Sequence, residues 1–463
     1  MSSHGRKPPE GTPREVPRRV PRTKSAARIP SSKRPGEREG HRAKSEAEAP
    51  AQAFAKPSRE AWAALGPYAR TRLTVHALGK SLALDVPGDV FSTQRIDEGT
   101  QLLLSHLPAS EPQRFLDLGC GYGALGLPVA ARHPACRSLL VDRDLLAVVA
   151  SAHNARALGL ANVEARPSLG FRDLPDASER FDWLLCNVPA RIGTAAIGHF
   201  LEAGRALLSP AGELRVVVIR DLVEPVREAA RARGLSEALR EIVHGPRHSV
   251  FAIEAGSGAR SRAALPGADE RESVYARDQS FLPLPGGPRA PGLQLARPHD
   301  ASEDPRHAEA LSLFFSAFPR SAPARVFAFR CGFGGAAIAA LALWEDARVV
   351  AQERDLLDAA FLLRNARALA LDSRLDARTT LFPGQAAGDE TFDLVLGELS
   401  SSAGELVAAR ELKEARLALA PRGQALVLAP QKMNEAIARA NAGYTLLLEH
   451  GPFAVWRASA AAR

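Results

Sequence analysis

The sequence repeats itself at a spacing of 211 residues, and this repeat restricts the possible folds more than any other feature. Cys-Gly-Tyr-Gly at 120–123 matches Cys-Gly-Phe-Gly at 331–334, and the pentapeptide Asn-Ala-Arg-Ala-Leu at 154–158 recurs at 365–369. A match that needs no gap over some 90 residues indicates a duplicated domain.

Each copy alternates short apolar runs with longer helical stretches, the pattern of a parallel sheet covered by helices on both faces. Each copy also ends in two aliphatic runs around a His-Gly-Pro turn, which predicts an antiparallel terminal hairpin. We therefore predict an α/β protein of two tandem Rossmann-like domains with mostly parallel sheets. In the first copy the expected strands are 115–118, 139–141, 183–186 and 214–219, and the expected helices are 144–158 and 194–208.

The net charge of +8 belongs to one end of the chain. Residues 1–60 hold 15 Lys and Arg, 7 Asp and Glu and nine prolines, so the rest of the chain is electrically balanced. Such a segment buries too little apolar surface to offset the entropy of ordering it, and we expect a disordered basic tail at 1–60. Behind it we expect a first domain at 61–254, a linker at 255–280 and a second domain at 281–463.

The four cysteines show no Cys-x-x-Cys spacing, which argues against zinc and against a disulfide framework. They favour a reducing, cytoplasmic environment. No apolar run reaches the roughly 18–20 residues that span a bilayer. We therefore expect neither a metal site nor a membrane segment, and the sequence gives no sign of the oligomeric state.

A glycine loop follows the first expected strand of the first copy. Glycines at 119, 121 and 123 let the backbone approach a ligand closely, and the next helix directs its N-terminus at the same place. The next strand ends at Asp142, where an acid is within reach of ribose hydroxyls. Two ligands fit this geometry, since Gly-x-Gly-x-x-Gly at 121–126 also matches the NAD fingerprint. The form Asp-Leu-Gly-Cys-Gly-Tyr-Gly at 117–123 resembles the S-adenosyl-L-methionine (SAM) loop of class I methyltransferases.

A second motif, Asn-Val-Pro-Ala at 187–190, follows the fourth expected strand. It resembles the N-P-P-[FYW] motif of methyltransferases that modify planar nitrogen atoms. The lone pair of an exocyclic amine on a base is delocalised into the ring, so the amine is a poor nucleophile. An Asn side-chain oxygen and a backbone carbonyl could each accept a hydrogen bond from one of its two N–H groups, which would orient that lone pair.

A leader sequence, V-F-S-x4-D-x-G-T-x-L-L-L at 90–104, precedes both motifs. The three motifs together resemble the rRNA guanine-N2 methyltransferases of the RsmC/RlmG type over about residues 70–254. The resemblance implies SAM as cofactor, with Phe91 in a loop over it, although Phe91 also reads as a core aromatic. The implied catalytic residues are Asn187, Val188 and Pro189. The implied cofactor-binding residues are Asp97, Thr100, Asp117, Gly119, Cys120, Gly121, Gly123, Asp142 and Ser168, with Asp173 as an alternative to Ser168 for the adenine.

Two positions depart from the planar-nitrogen motif. Val188 replaces its first proline, which keeps a backbone carbonyl there, and Ala190 replaces its aromatic residue. A ring at that position stacks on the flipped base, which is worth roughly 1–3 kcal/mol by analogy with other base–aromatic contacts. Either the activity on a base is weakened or another residue supplies the stacking surface.

The second copy keeps the apolar framework and loses the polar groups. Ala328 and Arg330 replace Asp117 and Gly119, and Glu398 falls on Asn187. We therefore predict a degenerate methyltransferase-like domain, in which Glu353 and Glu398 are solvated acids at strand ends. In enzymes of the RsmC/RlmG type the degenerate copy comes first, so the order here is reversed.

These features favour a SAM-dependent N-methyltransferase that modifies guanine N2 in ribosomal RNA, with RNA or a ribosomal subunit as partner. A second hypothesis is an RNA- or ribosome-binding protein that retains a SAM pocket as a relic, which Val188 and Ala190 motivate. A third is a protein glutamine N-methyltransferase, since those enzymes share the N-P-P-Y loop. The leader sequence speaks against this third hypothesis.

Overall fold

The computed structural model describes residues 59–174, 179–256, 273–282, 284, 292–301, 307–440 and 442–460. The expected tail lies outside these ranges except for its last two residues, and so does most of the expected linker. Within the part of the chain that the structure describes, no helix has the length and apolar character that crossing a membrane requires.

The first copy is a mixed α/β domain that begins with a hairpin of two strands. Its helices and strands are α1 (Arg59–Leu65), β1 (Ala69–Ala77), β2 (Lys80–Pro87), α2 (Glu98–Leu104), β3 (Arg114–Leu118), α3 (Gly126–Arg132), β4 (Arg137–Asp142), α4 (Leu145–Ala157), β5 (Val163–Pro167), β6 (Phe181–Asn187), α5 (Thr194–Ala206), β7 (Leu208–Ile219), α6 (Val223–Ala232), β8 (Leu239–His244) and β9 (His248–Glu254).

The second copy repeats the order of strands, with an added helix between its fifth and sixth strands and no counterpart of α1 among the described residues, and its first strand starts within the expected linker. Its elements are β10 (Ala276–Leu282), β11 (Leu293–Pro298), α7 (His307–Ser316), β12 (Arg325–Phe329), α8 (Gly335–Leu343), β13 (Arg348–Glu353), α9 (Leu356–Ala368), β14 (Leu375–Thr379), α10 (Pro383–Ala387), β15 (Phe392–Glu398), α11 (Glu405–Leu417), β16 (Leu419–Pro430), α12 (Asn434–Arg439), β17 (Thr445–His450) and β18 (Phe453–Ser459).

The two large sheets have the same strand order. Among the described residues, seven strands of the first copy pair in the order β5-β4-β3-β6-β7-β9-β8, and seven of the second pair as β14-β13-β12-β15-β16-β18-β17. All neighbours are parallel except at the terminal hairpins, where β9 and β18 run against the strands on both sides. The predicted fold class, two tandem Rossmann-like domains with antiparallel terminal hairpins, is confirmed.

Both faces of the first sheet are buried because successive side chains of a strand point to opposite sides. Leu116 and Leu184 pack in one apolar core with Phe200 of α5. Phe115 and Leu185 pack on the opposite face in a second core. This arrangement explains why the strands read as continuous apolar runs and not as alternating ones.

The asparagine of the repeated pentapeptide makes equivalent hydrogen bonds in the two copies. The Asn154 side chain accepts a hydrogen bond from the Asp85 backbone N–H at 2.8 Å and donates to the Asp85 and Tyr122 carbonyls at 2.9 Å each. Asn365 makes the same three bonds, to the Ala296 N–H and carbonyl and to the Phe333 carbonyl. Each asparagine therefore fastens the leading hairpin to the glycine loop, which extends the structural repeat to those hairpins.

The two copies meet through equivalent segments in a nearly twofold arrangement. The Leu145 N–H donates to the Arg354 carbonyl at 3.1 Å, and the Leu356 N–H donates to the Arg143 carbonyl at 3.0 Å. Each arginine then forms ion pairs with two acids of the other copy. Arg143 contacts Asp300 and Asp355 at 2.7 and 3.1 Å, and Arg354 contacts Asp89 and Asp144 at 3.0 and 3.2 Å.

Candidate functional site

Strand register brings the predicted site residues of the first copy to one edge of the sheet. In β3, Leu118 lies opposite Val141 of β4 and Cys186 of β6. The three following residues, Gly119, Asp142 and Asn187, therefore leave neighbouring strands at the same level. The glycine loop, the acid and the asparagine are assembled at the carboxyl edge, where ligands of open α/β sheets bind.

The glycine loop leaves an open, concave surface at Gly119 and Gly121, which is called the cradle below. Gly119 and Gly121 have φ angles of +83° and +56°, and a Cβ atom at either position would meet nothing within 4 Å. The third glycine has a different role, because a Cβ at Gly123 would lie 2.4 Å from the Leu127 side chain. Two glycines thus leave room for a ligand against the backbone, and the third allows α3 to pack closely.

Asp142 is fixed by the backbone beside this cradle. One carboxylate oxygen accepts from the Gly121 N–H and the other from the Asp144 N–H, both at 2.9 Å. Burial raises the pKa of Asp142, and these two N–H groups act against that rise. The two hydrogen bonds hold the carboxylate next to the glycine loop and leave it further lone pairs as acceptors.

Asp117 and Cys120 lie under the loop and not at its surface. Neither Asp117 oxygen makes a hydrogen bond of normal geometry with the described residues, although the Gly126 backbone N–H faces the carboxyl. Burial, together with Asp142, raises the pKa of Asp117 to about 8. The Cys120 thiol is also buried, and its sulfur lies 3.5 Å from the Ser151 hydroxyl oxygen. Both residues support the loop from beneath.

Ser168 and Asp173 occupy one turn after β5. The Ser168 hydroxyl donates to the Gly170 carbonyl at 2.8 Å and accepts from the Asp173 N–H at 3.2 Å, while Asp173 accepts from the Leu169 N–H at 2.9 Å. The Ser168 N–H donates to the Asp142 carbonyl at 2.8 Å, which ties this turn to the cradle. The structure therefore brings both candidates for adenine contact to the same place.

The Asn187 amide is oriented by the start of α2. Its nitrogen Nδ2 donates to Asp97 Oδ2 at 2.8 Å and to the Thr100 hydroxyl at 3.1 Å. Asp97 also caps α2, since the same oxygen accepts from the Thr100 N–H at 3.2 Å. Among the described residues, none donates to Asn187 Oδ1. The amide oxygen is left as an acceptor, and the leader sequence supplies the groups that orient it.

The residues after Asn187 separate into a buried and an exposed part. Val188 is buried, and its N–H donates to the Val217 carbonyl at 3.0 Å. Pro189 and Ala190 are exposed, and the Pro189 carbonyl accepts from the Ile192 N–H at 3.3 Å. Within the described residues nothing donates to the Val188 carbonyl, which is the backbone acceptor that the motif requires.

Phe91 does not belong to the core. Its side chain is 73% exposed, so the alternative reading as a core aromatic was wrong. The next residue, Ser92, is held at the glycine loop, because its carbonyl accepts from the Tyr122 hydroxyl at 3.3 Å. Phe91 therefore lies at the surface beside the site.

The second copy keeps the acid at the equivalent edge but changes the loop. Glu353 accepts from the Gly332 and Asp355 N–H groups at 2.9 and 3.3 Å, which is the pattern of Asp142, and also from the Arg354 N–H at 2.8 Å. It is only 8% exposed, so the expectation of a solvated acid was wrong. Burial raises the pKa of both Glu353 and Glu398. A cavity of about 150 Å³ remains there, with Glu398 in its lining.

Sequence reasoning missed several groups that shape the first site. Tyr122 holds the leader segment, Ser151 donates to the Gly121 carbonyl at 2.8 Å, and Arg354 of the second copy binds beside Asp142 through Asp144. The recurrence of Arg-Asp-Leu at 143–145 and 354–356 was the one available signal for the last contact. Among the residues that the structure describes, no group of three or more His, Cys, Asp or Glu is placed to hold a metal ion.

Comparisons with known proteins find similarities to the first copy. The family model of the methyltransferase small domain matches residues 82–243. Ribosomal RNA small subunit methyltransferase C of Hahella chejuensis is 36% identical over 145 residues, which are 30% of this chain and 41% of the relative. Ribosomal RNA large subunit methyltransferase G of Photobacterium profundum is 32% identical over 182 residues, 37% of this chain and 44% of the relative. The chain thus spans less than half the length of these two relatives.

A solved structure extends the similarity of fold to both copies. The chain resembles the T. thermophilus 16S rRNA N2 guanine methyltransferase (RsmC), solved with AdoMet and guanosine, with a TM-score of 0.60 and 18% identity. The match covers 86% of this chain and 100% of that one. The shared feature at this identity is the fold.

Proposed function

We propose that this chain, whose residues 82–243 match the family model of the methyltransferase small domain, is a SAM-dependent enzyme that methylates a nitrogen atom of RNA. The proposed target is the exocyclic N2 of a guanine in ribosomal RNA. The observation that carries the proposal is the oriented Asn187 amide, whose free acceptor oxygen lies one strand away from an open glycine cradle. The rRNA methyltransferases among the relatives support the choice of substrate.

The residues of the first copy fit SAM. Gly119 and Gly121 leave space against the backbone, where Asp142 would bind the ribose hydroxyls and the turn at Ser168 would lie against the adenine. When bound, SAM supplies an electrophilic methyl group on a sulfonium sulfur. The C–N bond would form as the C–S bond breaks, so the leaving group is a neutral thioether and no new negative charge develops. The methylated nitrogen would then lose one proton to solvent.

The chain's own task is to align the amine. Asn187 Oδ1 and the Val188 carbonyl would each accept a hydrogen bond from one N–H group of the exocyclic amine. These two bonds would turn the nitrogen lone pair toward the methyl group. Because Asp97 and Thr100 fix the amide beforehand, the reaction requires little reorganisation at this point. Alignment and electrostatic preorganisation are the two contributions that this geometry offers.

Ribosomal RNA or a ribosomal subunit is the proposed partner, which would place the protein in the cytoplasm. The predicted basic tail at 1–60 lies outside the described residues apart from its end. Its charge would add phosphate affinity that falls with salt concentration. Base selection would then depend on the groups around Asn187.

The test is to incubate the protein with labelled SAM and either ribosomal subunits or naked rRNA, and then digest the RNA to nucleosides. We expect label in N2-methylguanosine. Asn187→Ala should lower kcat/KM by about 10²–10³-fold, by analogy with the loss of a preorganised polar group. Glu398→Ala, at the equivalent position of the second copy, should leave kcat/KM unchanged.

Three other outcomes would replace the proposal. Label in another nucleoside would keep the methyltransferase and change the target atom. Label in protein would favour the glutamine methyltransferase. SAM binding without label in any fraction would favour a binding protein with a relic pocket.

A further inference from the structure

The first copy lacks the ring on which a target base would normally stack. Ala190 stands where related motifs carry an aromatic residue, and it is exposed. Two large aromatic side chains of the first copy are exposed among the described residues, Trp62 at 44% and Phe91 at 73%. Single exposed aromatic side chains are common on protein surfaces, so exposure alone does not assign a role to Phe91. What distinguishes Phe91 is that the neighbouring residue, Ser92, is bound to the glycine loop.

The backbone before Phe91 is anchored by the second copy. Asp89 forms ion pairs with Arg354 at 3.0 Å and with Arg330 at 3.4 Å, and the Asp89 carbonyl accepts from Arg354 at 2.9 Å. Asp89 also bonds the Ser402 hydroxyl. These contacts come from three separate positions of the second domain, so the segment cannot shift without breaking several of them.

The backbone after Phe91 is anchored by the active-site side of the first copy. The Ser92 carbonyl accepts from Tyr122 of the glycine loop, and the Ser92 hydroxyl donates to the Arg95 carbonyl at 2.5 Å. Asp97 then binds Asn187. Phe91 is therefore held between two fixed points, two residues after Asp89 and six residues before the group that orients Asn187.

We infer that Phe91 is the stacking surface for the target base, and that it takes over the role of the aromatic residue missing at Ala190. The inference rests on the proposed function, because it concerns an RNA base at the same site. Aromatic rings stack on bases whatever their sequence, and removing one such ring weakens binding by about 5- to 150-fold. A ring whose backbone is fixed loses little further freedom on binding, which favours its use as a platform.

The test compares Phe91→Ala and Phe91→Trp with Phe281→Ala, which removes a 54% exposed ring from the second copy. Three quantities are measured: the Kd of SAM, the Kd of a guanosine-containing single-stranded RNA oligonucleotide with S-adenosylhomocysteine present, and kcat/KM for rRNA. For Phe91→Ala we expect the RNA Kd and the KM for rRNA to rise by about 5- to 150-fold while the SAM Kd stays unchanged. Phe91→Trp should restore the RNA Kd, and Phe281→Ala should match the wild type.

Two results would overturn the inference. An unchanged RNA Kd in Phe91→Ala would show that the ring does not contact the base. A raised SAM Kd with an unchanged RNA Kd would make Phe91 a cover for the cofactor. If the wild type transfers no methyl group, the proposed function fails, but the oligonucleotide Kd still decides whether Phe91 contacts RNA.

Discussion

Gly119 and Arg330 occupy the same position in two copies of one fold. Around Gly119 the backbone leaves an open cradle. The Arg330 guanidinium instead fills an ion cluster, donating to Glu411 at 2.6 Å and to the Tyr68 hydroxyl at 2.6 Å, with Asp89 at 3.4 Å. Tyr68 and Asp89 belong to the first copy. The arginine at this position therefore makes contacts to the neighbouring domain, and it lines the cavity of about 150 Å³ that remains in the second copy.

The comparison shows how a duplicated domain can keep its sheet while its ligand edge changes role. At that edge of the second copy, Arg330 and Arg354 bind Asp89, the residue just before the leader sequence of the first copy. Its acid, Glu353, still binds the loop backbone as Asp142 does. The second copy therefore supports the site of the first from outside.

Breaking the ion cluster should have the largest effect on stability. Arg330→Ala would leave the buried Glu411 carboxylate without its cation, which typically costs about 3–5 kcal/mol. Urea denaturation should show this loss in the free energy of unfolding.

A double variant, Arg330→Met with Glu411→Leu, is the control for that experiment. It removes both charges at similar volume and should recover most of the stability. If the free energy of unfolding of Arg330→Ala lies within about 1 kcal/mol of the wild-type value, the cluster does not hold the two copies together.

Where the two copies make the same contacts, the same substitution in each copy should lower the stability by a similar amount. Asn154→Ala and Asn365→Ala each leave backbone groups of a hairpin and a glycine loop without a partner, at a cost of about 1–3 kcal/mol. Their denaturation midpoints should therefore fall by similar amounts. A loss confined to Asn154→Ala would mean that this residue serves the ligand site and not the framework.

The last prediction is a pH dependence and concerns Asp117, whose equivalent Ala328 cannot ionise. Its pKa is about 8 in the fold against an ordinary 3.8, so the folded chain keeps a proton that the unfolded chain has lost between these values. This group therefore lowers the free energy of unfolding by about 1.4 kcal/mol per pH unit as the pH rises through that window. Asp117→Asn should remove this contribution. The measurement is the free energy of unfolding against pH, without SAM. Identical slopes in the variant and the wild type would contradict the prediction.

Much of the framework could be predicted from the sequence. The repeat at 211 residues predicted two sheets of one design, and both have the same strand order. The glycine loop, Asp142 and Asn187 were placed by their position after apolar strands, because parallel strands end at a common edge. The helices and strands expected in the first copy lie within one to six residues of the observed bounds.

The remaining features depend on contacts between distant residues. Glu353 reads the same in sequence whether it is solvated or bound by backbone N–H groups, and only the fold shows its burial. The orientation of Asn187 depends on Asp97, 90 residues earlier. The direction of the Arg330 side chain depends on Glu411, 81 residues later. Periodicity and local motifs contain no information about such pairs.

The proposed function requires that SAM binds to the first copy alone. Isothermal titration with SAM should give one site per chain. Asp142→Ala should abolish that site, while Glu353→Ala, which removes the acid with the same backbone contacts in the second copy, should leave one site of unchanged affinity. Two sites per chain, or binding that survives Asp142→Ala and disappears in Glu353→Ala, would contradict the assignment of the two copies.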